Sequence, residues 1–244
     1  MHLLGIDIDT LKRTELLGRV ERWLSEESGF HRIATVNPEF LLLAREDALF
    51  RQSLAAADLR IADGFGIVLA FRFRGARVER FPGADIMEAL LEMANTQHLS
   101  VFLAVREGGL STYEEVRSAM LKKYPDMAIG GADIDSRRAS IDGNVYGIRD
   151  AKYDILISNF GAPEQEIFLE SFRAQPGGIR IALGVGGALD YLTGRIARAP
   201  RAWQRLGLEW LWRLIRQPQR LGRIWNATVV FLWRVIREKE KTTA

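Results

Sequence analysis

The chain has 244 residues, 48% of them hydrophobic and 27% charged, which is enough for one large α/β domain or two modest ones. It contains no cysteine, which excludes disulfide bonds and zinc sites built from thiolates. The net charge of +3 is unevenly divided, because residues 194–244 carry twelve basic residues against three glutamates, a net charge of +9, whereas the remainder carries −6.

Met1–Asp9 does not resemble a secretory signal. It has no basic stretch at its start, and its apolar run soon gives way to polar residues. Together with the absence of cysteine, this favours a cytoplasmic location.

Apolar strand patterns alternate with helical patterns along residues 2–194, which predicts a mostly parallel sheet with helices on both faces. Strands are predicted at His2–Ile8, Arg32–Val36, Ala57–Ala62, Ser100–Val105, Met127–Gly131, Asp154–Ser158 and Ile179–Leu183. Helices are predicted after Thr10 and Ala188 and at Glu39–Phe50, Ile67–Phe73, Gly83–Asn95, Leu110–Lys123 and Glu164–Arg173. Residues 132–146 are polar and predict a loop with a short helix.

Polar residues and glycines follow several of these strands. They are Thr35 and Asn37, Asp63, the segment 161–165, and the segment 184–190. Ligands of such sheets bind beyond the carboxyl ends of the strands, so one sheet can bring these segments into one cleft.

The turn Gly184-Val185-Gly186-Gly187, hereafter the glycine turn, lies between a strand and a helix start. This arrangement can present backbone N–H groups and a positive helix end to a phosphate. Glycines equally allow a helix to pack closely on a strand, and both interpretations stay open.

Residues 195–244, the basic tail, contain five of the six tryptophans. The helical pattern places Trp203, Leu206, Trp210 and Leu214 on one stripe, and Pro218 is expected to kink or restart the helix. The apolar run Ile224–Ile236 is too short to span about 30 Å of hydrocarbon. A basic, aromatic, amphipathic helix pair is typical of proteins that lie in a membrane interface.

Two Asp-x-Asp pairs, Asp7/Asp9 and Asp133/Asp135, have a spacing that can hold a divalent cation. Such pairs arise often by chance, and we expect a metal-independent protein without a cofactor.

Five segments carry a more specific resemblance: ATVNPEFLLLA (34–44), ADGFGIVLA (62–70), ERFPGADIM (79–87), FGAPEQE (160–166) and the long run 181–223. In order and spacing they resemble the WecG/TagA/CpsF family of glycosyltransferases, glycosyltransferase family 26. Three departures lie close to the cleft: Ala62 replaces the commoner proline before the aspartate, Phe65 replaces an aliphatic residue, and Ser158-Asn159 is unusually polar.

The resemblance implies a Rossmann-like body, residues 1–194, and a basic C-terminal appendage, residues 195–244. It implies transfer of a sugar from a UDP-sugar to an undecaprenyl-diphosphate-linked saccharide at the inner face of the membrane, in cell-wall, capsule or exopolysaccharide synthesis. N-acetylmannosamine, its uronic acid and glucose-type sugars are the donors implied.

The resemblance places the family's proposed general base at Asp63. An aspartate in a turn can also simply form a hydrogen bond with its own backbone. Thr35 and Asn37 can bind sugar or phosphate, and Asn37 can equally cap the helix that starts at Pro38. Arg80 could neutralise the diphosphate or lie on the surface.

The residues predicted to bind the UDP-sugar donor are Gln165, Gly184, Gly186, Gly187 and Asp190. Gln165 could instead be an exposed residue of a first helical turn, and Asp190 could simply favour the helix dipole. The tail arginines expected to bind lipid heads or grip a diphosphate are Arg213, Arg216, Arg220 and Arg223.

Two other classes remain as alternatives. A Rossmann-type oxidoreductase would need G-x-G-x-x-G after the first strand, which Met1–Asp9 lacks. A nucleic-acid- or membrane-binding module would use the basic tail but would leave the motifs at 34–87 unexplained. We expect no nucleic-acid partner, and a second copy of the chain could pack on the exposed tryptophans.

Overall fold

The computed structural model describes residues 1–26, 29–142, 148, 152–174, 177–216, 222 and 226–243. The strands are β1 His2–Leu3, β2 Ile6–Asp7, β3 His31–Val36, β4 Leu59–Ala62, β5 Ser100–Arg106, β6 Ala128–Ile134, β7 Ile155–Ser158 and β8 Ile181–Gly184. The helices are α1 Arg13–Ser25, α2 Pro38–Glu46, α3 Ala48–Ala55, α4 Phe65–Phe73, α5 Gly83–Thr96, α6 Tyr113–Lys123, α7 Ser136–Asp142, α8 Glu164–Glu170, α9 Leu189–Leu192, α10 Arg201–Arg205, α11 Glu209–Arg216 and α12 Phe231–Thr243.

Six strands form one parallel sheet in the order β4-β3-β8-β7-β5-β6. Their central members read as nearly continuous apolar runs, as expected for parallel strands that are covered on both faces. The predicted mostly parallel α/β sheet is therefore confirmed.

Alternate side chains of each strand enter two different parts of the core. On β3, Ile33 packs with residues of α1, α5 and α6, whereas Ala34 packs with residues of α2, α3 and α4. On β7, Ile157 joins the first group and Leu156 packs against α8 on the opposite face. The period of two along a strand thus places helices on both faces of the sheet.

The prediction of a first sheet strand at His2–Ile8 is wrong. The segment forms a separate two-stranded antiparallel hairpin, with His2 paired to Asp7 and Leu3 paired to Ile6. Leu4 and Gly5 have φ of 49° and 90°, which is the left-handed backbone that a tight hairpin turn requires.

The predicted helix Glu39–Phe50 is two helices, α2 and α3. Asp47 ends α2 and caps α3, because its Oδ1 accepts the N–H of Phe50 at 2.9 Å. The fifth predicted strand is also longer than expected, since β6 runs to Ile134 and is followed directly by α7.

The basic tail contributes α10, α11, a π-helical turn at Asn226–Val230 and α12. Phe231 and Val235 of α12 are buried with side chains of α2 and α4, so this helix packs on the sheet domain. Pro218 and Trp225 lie outside the described residues. No helix within the described ranges is long and apolar enough to cross a membrane. The boundary at residue 194 stays a prediction.

Candidate active site

Three of the predicted site segments lie at the carboxyl ends of adjacent strands. Val36 pairs with Ala62, so Asn37 and Asp63 leave β3 and β4 side by side. On the other flank of β3 lies β8, which ends at Gly184. The expectation that these segments share one edge of one sheet is confirmed.

Asp63 is half-buried and held by backbone contacts on two elements. Its N–H donates to the carbonyl of Val36 at 2.9 Å. Its Oδ1 accepts the N–H of Gly83, the first residue of α5, at 3.1 Å. The carboxylate therefore lies at the positive end of a 14-residue helix, where a negative charge is favoured.

The turn Asp63–Gly66 fits closely against the first turn of α2. A Cβ at Gly64 would lie 2.7 Å from Pro38, and a Cβ at Gly66 would lie 2.6 Å from the same ring. Both glycines are thus required by packing, and this packing fixes the distance between the segments that carry Asn37 and Asp63.

Thr35 and Asn37 have local partners. Thr35 is buried, and its Oγ1 donates to the carbonyl of Gly184 at 3.2 Å, which joins β3 to the glycine turn. Asn37 accepts the N–H of Phe40 at 3.1 Å and is the N-cap of α2. The capping alternative for Asn37 is therefore confirmed, and substrate contact by either side chain stays a prediction.

Gln165 is buried, with only 2% of its surface exposed, so the alternative of an exposed first-turn residue is wrong. Its Oε1 accepts the N–H of Gly186 at 3.0 Å and that of Gly161 at 3.4 Å. Its Nε2 donates to Oε1 of Glu166 at 3.0 Å. The amide therefore braces the turns after β7 and β8, and direct contact with a substrate stays a prediction.

Different structural constraints act at the three glycines of the glycine turn. A Cβ at Gly184 would overlap the amide of Gln165, so this position is set by packing. Gly186 has φ of 49°, and a Cβ there would meet nothing within 4 Å. A Cβ at Gly187 would lie within 4 Å of one atom only, Asp190 Oδ2, at 3.5 Å. The backbone at Gly186 and Gly187 consequently borders open space that a ligand can approach, although the Gly186 N–H is already used by Gln165.

Asp190 lies in the first turn of α9 and is buried. Its Oδ1 accepts the hydroxyl of Ser111 at 2.8 Å, and Ser111 also lies 2.8 Å from Thr193 Oγ1. These contacts tie the loop after β5 to α9. Sequence reasoning missed Ser111 and Thr193, because only the fold brings two ordinary hydroxyl residues to this carboxylate; nucleotide contact by Asp190 stays a prediction.

The basic tail contacts the Asp63–Gly66 turn at two points and the loop that carries Arg80 at a third. Arg80 is half-buried and donates through Nη2 to the carbonyl of Gln204 at 3.0 Å. A Cβ at Gly207 would lie 2.5 Å from Phe65, and a Cβ at Gly66 would lie 3.3 Å from the carbonyl of Ala227. Residues of the tail therefore form a wall against the turn after β4 and the loop that carries Arg80.

Arg198 is the electrostatic link between this wall and α5. It pairs with Asp85 in the first turn of α5 and lies 3.9 Å from Glu88 and 3.7 Å from Glu209 of α11. Burial by itself lowers the pKa of the guanidinium, but the hydrogen bond to Asp85 and the charges of Glu209 and Glu88 outweigh it and raise the pKa above its usual value. Arg198 was not singled out from the sequence, because its partners lie on distant segments.

The four tail arginines are only partly placed. Arg216 is exposed at the end of α11 and lies over the ring of Trp212, 4.8 Å from its centroid. Arg213 is on α11, but its side chain is not among those described, and Arg220 and Arg223 lie outside the described residues. Their contact with lipid or acceptor stays a prediction.

One aspartate of each Asp-x-Asp pair accepts a backbone N–H. Asp9 accepts the N–H of Arg60 at 2.8 Å, and Asp133 accepts that of Tyr113 at 2.9 Å. Within the described part of the chain, no three His, Asp or Glu side chains lie close enough together to hold a metal ion. The expected independence from metal and cofactor stays a prediction.

Comparison with known families defines the class of protein as a glycosyltransferase. The family described as "Glycosyl transferase WecG/TagA/CpsF family" matches residues 1–244, so the chain belongs to that family. Family membership accounts for the motifs at 34–87 and sets aside the oxidoreductase and the non-enzymatic binding module as interpretations of the chain.

Proposed function

We propose that the protein is an inverting glycosyltransferase that moves a sugar from a UDP-sugar to an undecaprenyl-diphosphate-linked saccharide. The donors proposed are UDP-N-acetylmannosamine, its uronic acid or a UDP-glucose-type sugar. The observation that carries the proposal is the placement of Asp63 and the glycine turn at the carboxyl ends of strands that flank β3.

In the proposed reaction, Asp63 accepts the proton of an acceptor hydroxyl while that oxygen attacks the anomeric carbon of the donor. The bond from this carbon to the diphosphate oxygen breaks, and UDP leaves with the electron pair. A positioned general base of this kind contributes a factor of about 10²–10⁴ to the rate. Attack opposite the leaving group converts an α-linked donor into a β-linked product.

The UDP product needs stabilisation as negative charge develops on the diphosphate. The open backbone at Gly186–Gly187 and the half-buried guanidinium of Arg80 are proposed to bind the diphosphate, each stabilising part of its charge. Arg213, Arg216, Arg220 and Arg223 of the tail are proposed to complete the neutralisation of the donor or acceptor diphosphate.

The acceptor is lipid-linked, and the surface of the tail supports a membrane location. Six of the ten large hydrophobic side chains exposed on the described residues fall in the tail: Leu206, Trp210, Ile215, Val229, Trp233 and Ile236. Arg237 lies 3.9 Å from the ring centroid of Trp233, which places a cation beside an exposed indole. Paired cations and aromatic rings suit an anionic membrane surface, here the inner face of the cell membrane.

The decisive experiment incubates the full chain with a panel of UDP-sugars and a short-chain diphospholipid-linked acceptor. We expect one donor class to give a glycosylated lipid together with released UDP, and proton NMR of the product to show a β linkage. No turnover with any UDP-sugar would refute the donor, and an α linkage would refute inversion.

A further inference from the structure

A charged cluster with a fully buried centre joins β3 to α8. Arg32 of β3 and Glu166 of α8 are both fully buried and form an ion pair. The same guanidinium donates through Nε to Glu170 at 2.8 Å and through Nη2 to the carbonyl of Ser53. A buried ion pair is weak evidence for stability alone, so the other contacts of its members indicate what it does.

The two carboxylate oxygens of Glu166 face different partners. Oε2 accepts from Arg32, and Oε1 accepts from Nε2 of Gln165 at 3.0 Å. An ionised carboxylate only accepts hydrogen bonds, so it can face only the NH₂ group of the Gln165 amide. The amide oxygen must then point away from Glu166, towards the N–H groups of Gly161 and Gly186.

We propose that Glu166 is a positioning residue for the donor site: it fixes the orientation of the Gln165 amide, and the amide oxygen in turn fixes the turns at Gly161 and Gly186. Glu166 has no exposed surface and touches no substrate. The part of this proposal that concerns UDP rests on the proposed function, whereas the part that concerns the amide orientation does not.

The substitution Glu166→Gln makes a specific prediction. Arg32 has only donors, so a glutamine at this position must turn its oxygen to Arg32 and its NH₂ group to Gln165. Gln165 would then have to present its oxygen to that NH₂ group, which leaves its own NH₂ group against the N–H groups of Gly161 and Gly186. Donors would face donors, and both turns would lose their acceptor.

A matched control separates this role from that of a simple counter-ion. Glu170→Gln also removes one carboxylate from Arg32, but Glu170 makes no contact with Gln165 in the hydrogen bonds of the described residues. A rescue is available as well, because the double variant Gln165→Glu with Glu166→Gln keeps the net charge. In this double variant, one oxygen of the carboxylate at position 165 can accept from the NH₂ group at position 166. The other oxygen can accept from the N–H groups of Gly161 and Gly186.

The first measurement is amide hydrogen exchange at Gly186 by NMR. We expect Glu166→Gln to lower the protection of Gly186 about tenfold, Glu170→Gln to leave it within about threefold, and the double variant to restore it. Equal effects of Glu166→Gln and Glu170→Gln would overturn the proposal. If Glu166→Gln does not fold, Glu166→Asp retracts the carboxylate by one methylene but keeps its charge, and unchanged protection in that variant would equally overturn it.

The second measurement is the Kd for UDP by calorimetry on the same proteins. We expect Glu166→Gln to weaken binding about tenfold and Glu170→Gln to leave it within about threefold. If the unmodified protein does not bind UDP, the proposed donor is wrong, and hydrogen exchange still decides the role of Glu166. If the unmodified protein binds UDP and Glu166→Gln binds it equally well, Glu166 does not position the donor site.

Discussion

Replacement of Arg198 by methionine tests whether the tail is held on the sheet domain by charge. Methionine keeps an unbranched apolar stem but leaves Asp85, Glu88 and Glu209 without their shared cation. The side chains of Arg198 and Glu209 are 19% and 12% exposed, so the cluster is neither fully buried nor on the open surface. Its loss must therefore cost more than that of a surface ion pair.

The size of the effect follows from these exposures. Breaking a fully buried pair costs about 3–5 kcal/mol, and an exposed pair contributes less than about 1 kcal/mol. For a partly buried cluster we expect an intermediate cost of about 2–3 kcal/mol. For a chain of this length each kcal/mol lowers Tm by about 2–4 °C. The expected decrease in Tm is therefore about 4–12 °C.

Thermal unfolding followed by circular dichroism measures this shift, with Arg195→Met as the control. Arg195 pairs with Glu115, and these side chains are 55% and 37% exposed, so the control should change Tm by less than about 4 °C. Glu209→Gln should also cost less in the Arg198→Met background than alone, because the two residues share one interaction. Equal Tm values for the two methionine variants would refute the reasoning.

Substitutions at three positions test the turns at the carboxyl ends of the strands. Asn37→Ala should lower stability by about 1 kcal/mol, and Asn37→Ser should restore most of it, because the side chain caps α2; equal stabilities by urea unfolding would contradict the capping role. Gly186→Ala should cost about 1–2 kcal/mol through its positive φ alone, since a Cβ there meets no atom. Gly184→Ala should be more damaging than Gly186→Ala, because its Cβ overlaps Gln165, and a milder effect of Gly184→Ala in the same urea series would contradict the packing argument.

The sheet could be predicted because its signals are local. Central strands such as Ile155–Ser158 are apolar runs between turn residues, and their alternation with helical patterns sets the parallel order of the chain. The N-terminal hairpin was missed although Gly5 marks its turn, because two strands of two residues are too short to show a period. The break between α2 and α3 was missed because the cap at Asp47 lies inside a continuous helical pattern.

The candidate site also contains a part that could be predicted from the sequence and a part that could not. Asp63 and the glycine turn could be placed from the sequence, since residues that follow parallel strands meet at one edge. The partners of the site could not, because Arg32 and Glu166 are 134 positions apart and Ser111 and Asp190 are 79 apart. Only the fold brings these pairs together. The room for the Gln165 side chain likewise depends on Gly184 at the end of β8, which is distant in sequence.

The central claim is that the carboxylate of Asp63 acts as the base in sugar transfer, and Asp63→Asn tests it most directly. An asparagine keeps an oxygen that can accept the N–H of Gly83, so the substitution removes the charge and spares this contact. Asp47→Asn makes the same chemical change at the cap of α3 and serves as the control.

We expect kcat for transfer from the UDP-sugar to fall by a factor of about 10²–10⁴ in Asp63→Asn. Asp47→Asn should retain activity within a few-fold, and both variants should unfold at a similar Tm. Transfer by folded Asp63→Asn at a rate close to that of the unmodified protein would contradict the account.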